Sequence, residues 1–321
     1  MPPSKLPVPS ASDRSAALPA APTLLAVDGN SLLHRAFHAY AAAGMTRFDG
    51  RASFAVYGFL TLLGGIVERT GPDALVVGFD DFPDNERKVA YQEYKATRKR
   101  QADELYQQMD DVRALLGRLG VTVTVAPGWE ADDVIASAAT VAEQAGWRCV
   151  VATSDRDAFS VISETTTVMR LVSGLDNAQW LTPAALVERY GITPEQYIDY
   201  AALRGDTSDN LPGIRGIGEK TAAKLLTAFG TVAAALGDED GCRALIGPAA
   251  SGKLAAEQGN WRRNVELMTQ RRDIDVDLDA CRLDVLDADH LAEVLDAAEL
   301  PGLVSRLAAP LATAADPASR G

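Results

Sequence analysis

Nine acidic residues stand in short motifs between positions 28 and 209, and carboxylates are the ligands that hard divalent cations prefer. They are Asp28, Asp80, Glu130, Asp132, Asp133, Asp155, Asp157, Asp206 and Asp209. Carboxylates that gather without matching cations raise each other's pKa, and bound Mg²⁺ or Mn²⁺ removes that penalty. Only three histidines occur in the chain, which disfavours zinc or iron. The acids therefore predict a site for two ions about 3.5–4 Å apart, which can activate a water and stabilise the leaving oxygen of a phosphodiester.

Each acid also has a simpler explanation when it is taken alone. Asp28 precedes a glycine, as in a common turn, and Asp132 and Asp133 at a helix start make a favourable contact with the helix dipole. Asp155 and Asp157 can cap the helix that follows them. Separate caps do not explain why acids recur at several strand ends and in one helix start. The set as a whole favours a metal site.

A second motif, LPGIRGIGEKTA at residues 211–222, combines glycines with cations. The glycines let a short loop turn tightly and bring backbone N–H groups close to an anion. A P-loop needs Lys directly after its last glycine, and a dinucleotide fingerprint needs another glycine three residues further on, so both are excluded. Lys220 and Lys224 lie one helical turn apart and can both reach a phosphate, and such contacts bind the DNA backbone without reading sequence.

Short apolar runs alternate with helical spacing in the first half of the chain. The runs predict strands at Leu24–Val27, Ala74–Phe79, Val121–Val125 and Arg148–Thr153, and helices at Ser31–Ala43, Phe54–Glu68, Ala102–Leu119 and Ala131–Ala145. This alternation predicts an α/β fold with a parallel sheet flanked by helices. In such sheets function lies beyond the carboxyl ends of the strands. Asp28, Asp80 and Asp155 stand at three of those ends.

The second half of the chain is predicted to be helical. The strand signal fades near residue 182, and helices are predicted at Glu219–Ala228, Arg243–Glu257 and Ala288–Ala298. The ends of the chain are rich in Pro, Ala and Ser, which predicts loose tails at residues 1–21 and 309–321. We therefore divide the ordered chain into a catalytic region at 22–181 and a helical region at 182–308.

The net charge of −13 is unusual for a protein that binds nucleic acid. Nucleic-acid binding follows local charge, however, and residues 85–100 hold six cations against two acids.

The three cysteines are scattered, which favours a reducing compartment over a disulfide framework or a zinc site. No stretch of eighteen apolar residues occurs, so we expect no membrane span and a cytoplasmic protein.

Five segments, in this order, resemble the bacterial 5′-3′ exonuclease and flap endonuclease family. They are VDGNSLLHRAFHAY, FDDFPDNERKVAYQEYKATR, GWEADDV, TSDRDAF and LRGDTSDNLPGIRGIGEKTAAKLL. The family includes the N-terminal nuclease domain of bacterial DNA polymerase I, and the resemblance covers about residues 23–275. It implies a PIN-like α/β domain with a helical arch at about residues 82–102 and a helix-three-turn-helix module that binds DNA. No polymerase region follows in this sequence, so we expect a free-standing, monomeric member.

The resemblance also implies a role for each motif residue. Asp28, Asp80, Glu130, Asp132 and Asp155 match the first metal site, Asp157, Asp206 and Asp209 match the second, and Asp133 matches a further motif acid. Lys95 and Arg98 match catalytic arch residues that contact the scissile phosphate. The other arch residues assigned to DNA are Arg87, Lys88 and Lys99 for phosphates and Tyr91 and Tyr94 for stacking on bases. The motif at residues 211–222 matches a hairpin that grips duplex phosphates through Gly216, Gly218, Lys220 and Thr221, with Gly213 and Arg215 in the same loop. In relatives this hairpin loop also holds a monovalent cation, which implies K⁺ here.

Together these features predict a structure-specific 5′-nuclease in DNA replication and repair. It would cut DNA by a two-metal-ion mechanism and leave 5′-phosphate and 3′-hydroxyl ends. Two alternatives stay open. A toxin-like PIN ribonuclease would share the acid-ended strands but has no need of the arch or the glycine hairpin. A non-catalytic DNA-junction binder would tolerate the loss of motif acids, whereas all of them are present here.

Overall fold

A computed structural model describes residues 21–81 and 85–315 of the chain. Almost all of the predicted N-terminal tail lies outside the described residues, as do 316–321 and the first residues of the predicted arch, 82–84.

A six-stranded sheet forms the centre of the catalytic region. Its strands are β1 (Thr23–Asp28), β2 (Ala74–Phe79), β3 (Thr122–Val125), β4 (Arg148–Thr153), β5 (Thr166–Arg170) and β6 (Gln179–Leu181). They lie in the order β3-β2-β1-β4-β5-β6, and every neighbouring pair is parallel except β5 and β6. The four predicted strands are confirmed. β5 and the three-residue β6 were not predicted.

Side chains of β1 feed two hydrophobic cores, one on each face of the sheet. Leu24 and Ala26 pack into the core that contains Ile135, and Leu25 and Val27 pack into the core that contains Phe59. Neighbouring residues of a strand point to opposite faces, and both faces are covered by helices here. This is why β1 reads as an unbroken apolar run that ends at a polar residue.

Six helices accompany the sheet: α1 (Gly29–Tyr40), α2 (Phe54–Thr70), α3 (Glu86–Ala90), α4 (Asp103–Arg118), α5 (Ala131–Gln144) and α6 (Pro183–Tyr190). The predicted helical arch contains only the five-residue α3 in its described part, followed by turns up to residue 97. This segment lies against the rest of the protein, because the Lys95 N–H donates to the Asp209 carbonyl at 2.9 Å.

The C-terminal region is helical, as predicted. Its helices are α7 (Tyr197–Arg204), α8 (Glu219–Phe229), α9 (Val232–Gly237), α10 (Glu239–Ile246), α11 (Pro248–Ala256), α12 (Gln258–Met268), α13 (Ala288–Ala297) and α14 (Ala309–Ala315). Between α7 and α8 a small hairpin pairs β7 (Gly205–Asp206) with β8 (Leu211–Pro212). No helix within 21–81 and 85–315 has both the length and the apolar character needed to cross a membrane.

Two predicted boundaries are wrong in this region. The single helix expected at Arg243–Glu257 is split between α10 and α11, because Gly247 has a φ of +84° and Pro248 follows it. The loose tail expected from residue 309 is helical over Ala309–Ala315, with Leu311 fully buried. The preceding turn approaches α2 closely, since a Cβ on Gly64 would lie 1.8 Å from the Arg306 carbonyl oxygen.

Candidate active site

A cleft of about 1710 Å³ opens at the carboxyl edge of the parallel strands. Its lining includes six of the nine predicted acids, namely Asp28, Asp80, Glu130, Asp132, Asp155 and Asp206. The parallel register explains this, because Asp28 ends β1, Asp80 follows β2 and Asp155 follows β4. Asp157 and Asp209 interact electrostatically with these acids. Burial is the main reason that the pKa of Asp157 is raised, and the charges of Asp155, Asp209 and Asp206 raise it further.

Asp28 acts as a helix cap and faces the cleft at the same time. Its Oδ1 accepts from the Ser31 N–H at 2.9 Å at the start of α1, and its Oδ2 accepts from the Thr153 hydroxyl at 2.8 Å. Burial is the main reason that its pKa is raised to about 7, although both hydrogen bonds lower it. Asp28 thus caps a helix instead of forming the simple turn suggested by the glycine after it, and the capping role does not exclude a second role.

Asp80 and Asp132 carry unfavourable electrostatics that a cation would relieve. Burial and then the charge of Glu130 raise the pKa of Asp80 to about 6. Burial and the charges of Asp28 and Asp155 raise the pKa of Asp132 well above its ordinary value. The Asp132 Oδ1 is also buried without any hydrogen-bond partner in the described structure. An orphaned carboxylate oxygen among other acids is costly, and a hard divalent ion fits it.

The acids share the cleft but do not converge on one point. Among residues 21–81 and 85–315, no three His, Cys, Asp or Glu side chains are arranged so that they could hold a metal ion. Two arch cations contact the acids instead: Lys95 forms an ion pair with Glu130, and Arg98 forms one with Asp209. Metal binding therefore requires some of these carboxylates to turn toward each other and away from the cations.

Lys95 and Arg98 are held at the cleft by those ion pairs. Burial disfavours the charged form of Lys95, but the carboxylates of Glu130 and Asp209 raise its pKa above the ordinary value. Burial also disfavours the charged form of Arg98, but the carboxylate of Asp209 raises the pKa of Arg98 above its ordinary value. Both side chains line the cleft beside the acids. They place two positive charges beside the acids of the cleft.

The prediction of Asp133 as a metal ligand is wrong. Its side chain is fully buried and accepts from both terminal nitrogens of Arg87, at 2.6 and 2.7 Å. It also accepts from the backbone N–H groups of Glu130, at 3.0 Å, and Arg271, at 2.8 Å. With its oxygens used in this way, Asp133 caps α5 and neutralises Arg87.

Two arch residues assigned to DNA are turned inward. Arg87 is buried against Asp133 and donates to the Leu267 carbonyl at 2.7 Å, so it cannot contact a phosphate here. Tyr94 is 3% exposed, and its hydroxyl donates to Glu130 at 2.9 Å, so it is not available for base stacking. Tyr91 is half-buried, and the Arg263 guanidinium lies 4.6 Å from its ring centre.

Cations and aromatic rings occur both in loops that bind DNA and in buried segments that are held by ion pairs. Composition alone therefore does not distinguish these two roles of the arch. The other two arch cations assigned to DNA, Lys88 and Lys99, are exposed and line the cleft.

The glycine hairpin has the tight geometry that its sequence predicts. Gly205 has a φ of +75°, and Gly216 has one of +85° at an exposed position. Gly218 and Lys220 are exposed, and Thr221 is half-buried. These positions remain open to a phosphate.

Two hairpin cations already have protein partners. The Arg215 side chain donates to Glu257 at 2.6 Å, and Lys224 Nζ donates to the Leu245 carbonyl near the end of α10 at 2.8 Å. Lys224 is nevertheless exposed, so its assignment to a phosphate stays a prediction.

Several polar residues that line the cleft were not predicted, among them Asn85, Arg35 and Arg170. Asn85 Nδ2 donates to Glu130 at 2.7 Å. Arg35 and Arg170 line the cleft and donate to the side chain and the carbonyl of Ser154, each at 3.1 Å. Arg35 lies in the predicted helix, seven residues after Asp28. This spacing is about two helical turns, so it predicts that the Arg35 side chain lies on the same side of the helix as Asp28.

Replacing Gly213 with alanine is expected to destabilise the hairpin. A Cβ at this position would lie 2.3 Å from the carbonyl carbon of Arg204 and 2.5 Å from the Gly205 nitrogen, so the backbone must shift. We expect the free energy of unfolding in urea to fall by about 1–3 kcal/mol. Gly218→Ala is the matched control, because a Cβ there meets nothing within 4 Å. Equal stability of the two variants would contradict the prediction.

Two family models match consecutive parts of the chain. The first, described as the 5′-3′ exonuclease N-terminal resolvase-like domain, matches residues 23–191. The second, described as the 5′-3′ exonuclease C-terminal SAM fold, matches residues 192–290. The models meet at 191/192, whereas the sequence analysis divides the chain at 181/182.

Individual proteins agree with the family models. DNA polymerase I of Mycobacterium bovis is 42% identical over 300 residues, which are 93% of this chain and 33% of the relative, so the chain spans about a third of that relative's length. The T5 D15 protein, crystallised with metal ions, superposes with a TM-score of 0.62 and 18% identity over 92% of this chain and all of its own. The catalytic core of Rad2 with DNA substrate superposes with a TM-score of 0.56 and 17% identity, covering 91% and 92%. At these identities the two structures show a shared fold.

Proposed function

The chain belongs to the 5′-3′ exonuclease family, and from this premise we propose that it is a divalent-metal-dependent 5′-nuclease acting on DNA. Its substrates are DNA 5′ ends and 5′ single-stranded flaps, met in replication and repair, and it acts as a monomer. The observation that supports this most is the cleft, where acids from separate motifs lie beside Lys95 and Arg98. Acids beside two cations suit a reaction in which a metal cation activates the cleavage of a phosphodiester.

The donor set fits two Mg²⁺ or Mn²⁺ ions. Asp28, Asp80, Glu130, Asp132 and Asp155 would hold the first ion, and Asp157, Asp206 and Asp209 the second, with Asp155 close to both. When bound, the ions would supply Lewis acidity and activate water for in-line attack. Asp132 is the best supported ligand, because its Oδ1 is buried without a partner in the described structure.

The chain's own cations orient the phosphate. Lys95 and Arg98 would leave Glu130 and Asp209 for the scissile phosphate, where their charge offsets the negative charge that develops in the transition state. Releasing these carboxylates also frees oxygens for metal ions. Cleavage then leaves a 5′-phosphate and a 3′-hydroxyl, and no side chain needs to act as a nucleophile.

The DNA path follows the exposed groups. Duplex DNA would lie on the hairpin near Gly216, Gly218 and Lys220, which are exposed at the start of α8, where a helix N-terminus favours an anion. Main-chain oxygens of the same loop would hold a K⁺ ion. The 5′ single strand would follow the cleft past Lys88 and Lys99.

The direct test is cleavage of a labelled 5′-flap DNA with Mg²⁺ or Mn²⁺ and with EDTA, with the product ends mapped. We expect metal-dependent cuts that leave 5′-phosphates. A single-stranded RNA serves as the competing substrate. Preferential cleavage of the RNA would favour a PIN ribonuclease, and intact flap DNA after long incubation with Mn²⁺ would favour a non-catalytic junction binder.

Replacing Lys95 with alanine is expected to slow cleavage about a hundredfold, as the loss of one preorganised charge does in other active sites. Glu130 keeps Asn85 and Tyr94 as partners, so the cleft should survive the change. Single-turnover rates and the Kd for flap DNA separate the two effects. Lys99→Ala, which removes an exposed cleft cation, should weaken binding more than it slows the reaction. A pure loss of affinity in Lys95→Ala would exclude its catalytic role.

A further inference from the structure

Two arginines that none of these roles uses meet where the cleft joins the hairpin. Arg156 directly follows Asp155, and Arg204 ends α7 just before Asp206 on β7. Both line the cleft. They converge on one carboxylate oxygen of Glu219, the first residue of α8, at 2.9 Å from Arg156 and 3.6 Å from Arg204. The pair therefore lies between the acids and the proposed duplex-binding surface.

Each guanidinium is held in place on an aromatic ring. Arg156 lies 5.7 Å from the ring centre of Tyr190, and Arg204 lies 5.8 Å from that of Tyr200. Arg204 Nε also donates to the Gly205 carbonyl at 3.2 Å. A guanidinium that is already oriented loses little side-chain entropy when it binds an anion. Arg156 Nη1 and Arg204 Nε donate to protein acceptors, whereas Arg156 Nε and the Nη2 atom of each arginine make no hydrogen bond within the described part of the chain, so donors are left over.

The carboxylate between them is easily displaced. Glu219 brings one negative charge to two positive ones, and its side chain is 52% exposed. Exposed ion pairs contribute only about 0.2–1 kcal/mol. A phosphate oxygen accepts from Arg more strongly, because a guanidinium can donate two parallel hydrogen bonds to it.

We propose that Arg156 and Arg204 form a binding site for one backbone phosphate of the DNA, and that Glu219 occupies this site until the DNA displaces it. The proposal rests on the proposed function only in taking DNA as the ligand. It gives the strongly acidic chain two further cations next to the cleft. It also places a contact with the DNA backbone one residue away from Asp155.

A simpler role for the cluster is an ion pair that fastens α8 to the cleft. The two roles differ in how binding depends on salt, because each phosphate contact releases counterions and steepens the dependence. They also differ in what Glu219 does. A competitor for the site weakens DNA binding, whereas a tether supports it.

The test measures the Kd of a fluorescent 5′-flap DNA by anisotropy over a series of salt concentrations, in EDTA so that the DNA stays intact. The variants are Arg156→Gln/Arg204→Gln, both single replacements and Glu219→Gln. Arg282→Gln and Asp284→Asn are matched controls, because this exposed pair lies next to Ala74 at the opposite edge of the sheet. Urea unfolding checks that each variant is folded.

We expect the double variant to bind more weakly and to lower the slope of log K against log salt by about 1. Glu219→Gln should bind about twofold to fivefold more tightly, as loss of an exposed competing pair allows. Controls should match the wild type. An unchanged slope in the double variant, or equal or weaker binding by Glu219→Gln, would overturn the proposal. Wild-type protein that neither binds nor cuts flap DNA would instead refute the proposed function, so the two failures are distinguishable.

Discussion

The Asp155→Asn variant is expected to cut 5′-flap DNA about a thousandfold more slowly than the wild type, a loss of about 4 kcal/mol in transition-state stabilisation. Asp155 lies at the carboxyl end of β4, and its charge contributes to the raised pKa values of Asp28, Asp132 and Asp157. It is assigned to the first ion and proposed to lie close to both, and ions of this kind contribute several kcal/mol to the reaction.

The substitution is mild for the fold. Asp155 is exposed, and its Oδ1 accepts from the Asp157 N–H at 3.1 Å, a bond that an amide oxygen can also accept. Single-turnover cleavage in Mg²⁺ and the Kd for flap DNA measure the outcome, and the Kd should change little. Asp176→Asn is the matched control, since Asp176 is 93% exposed in a surface ion pair with Arg69. Undiminished turnover by Asp155→Asn would remove this residue from the site.

The sequence was sufficient to bring the acids together because parallel strands impose a common direction. Once β1, β2 and β4 were recognised as buried strands, the residues after them had to meet at one edge. Asp28, Asp80 and Asp155 do line one cleft. The hairpin could also be predicted from the sequence, because glycine spacing is a local property of the chain.

Burial of the arch could not be predicted in the same way. Arg87 pairs with Asp133, 46 residues away, and with the Leu267 carbonyl, 180 residues away. Nothing in the local sequence distinguishes this arginine from the exposed Lys88 beside it. The roles of Arg87, Tyr94 and Asp133 depend on long-range packing, and a charged or aromatic residue type is compatible with either surface or interior.

Glu130 links the arch to the cleft, which no motif indicates. Asn85, Tyr94 and Lys95 all donate to its carboxylate. Burial raises its pKa, but Lys95 and Arg87 bring that pKa below the ordinary value, so the carboxylate is ionised. Any metal or phosphate that enters the cleft therefore competes with arch side chains, and the position of the arch is coupled to the state of the acids.

The Arg87→Met variant is expected to lose about 3–5 kcal/mol of unfolding free energy, the usual effect of removing one partner from a buried ion pair. Asp133 has no exposed surface, and Arg87 is its only cationic side-chain partner among the described residues. Without Arg87 the carboxylate stays buried with an uncompensated charge. Urea unfolding measures the loss. Arg100→Met is the control, because the Arg100–Asp103 pair is exposed and should contribute at most about 1 kcal/mol.

A second substitution separates lost charge pairing from lost packing. In Arg87→Met/Asp133→Asn the buried charge is gone. The N–H groups of Glu130 and Arg271 donate to different oxygens of Asp133, so the single Asn oxygen can still accept from one of them. We expect the double variant to recover at least half of the stability, because an apolar stem beside a neutral amide costs far less than an unpaired carboxylate. A double variant no more stable than Arg87→Met would attribute the loss to packing of the arginine stem. An Arg87→Met variant that loses less than about 1 kcal/mol of unfolding free energy would show that the buried Arg87–Asp133 pair contributes no more than a surface ion pair.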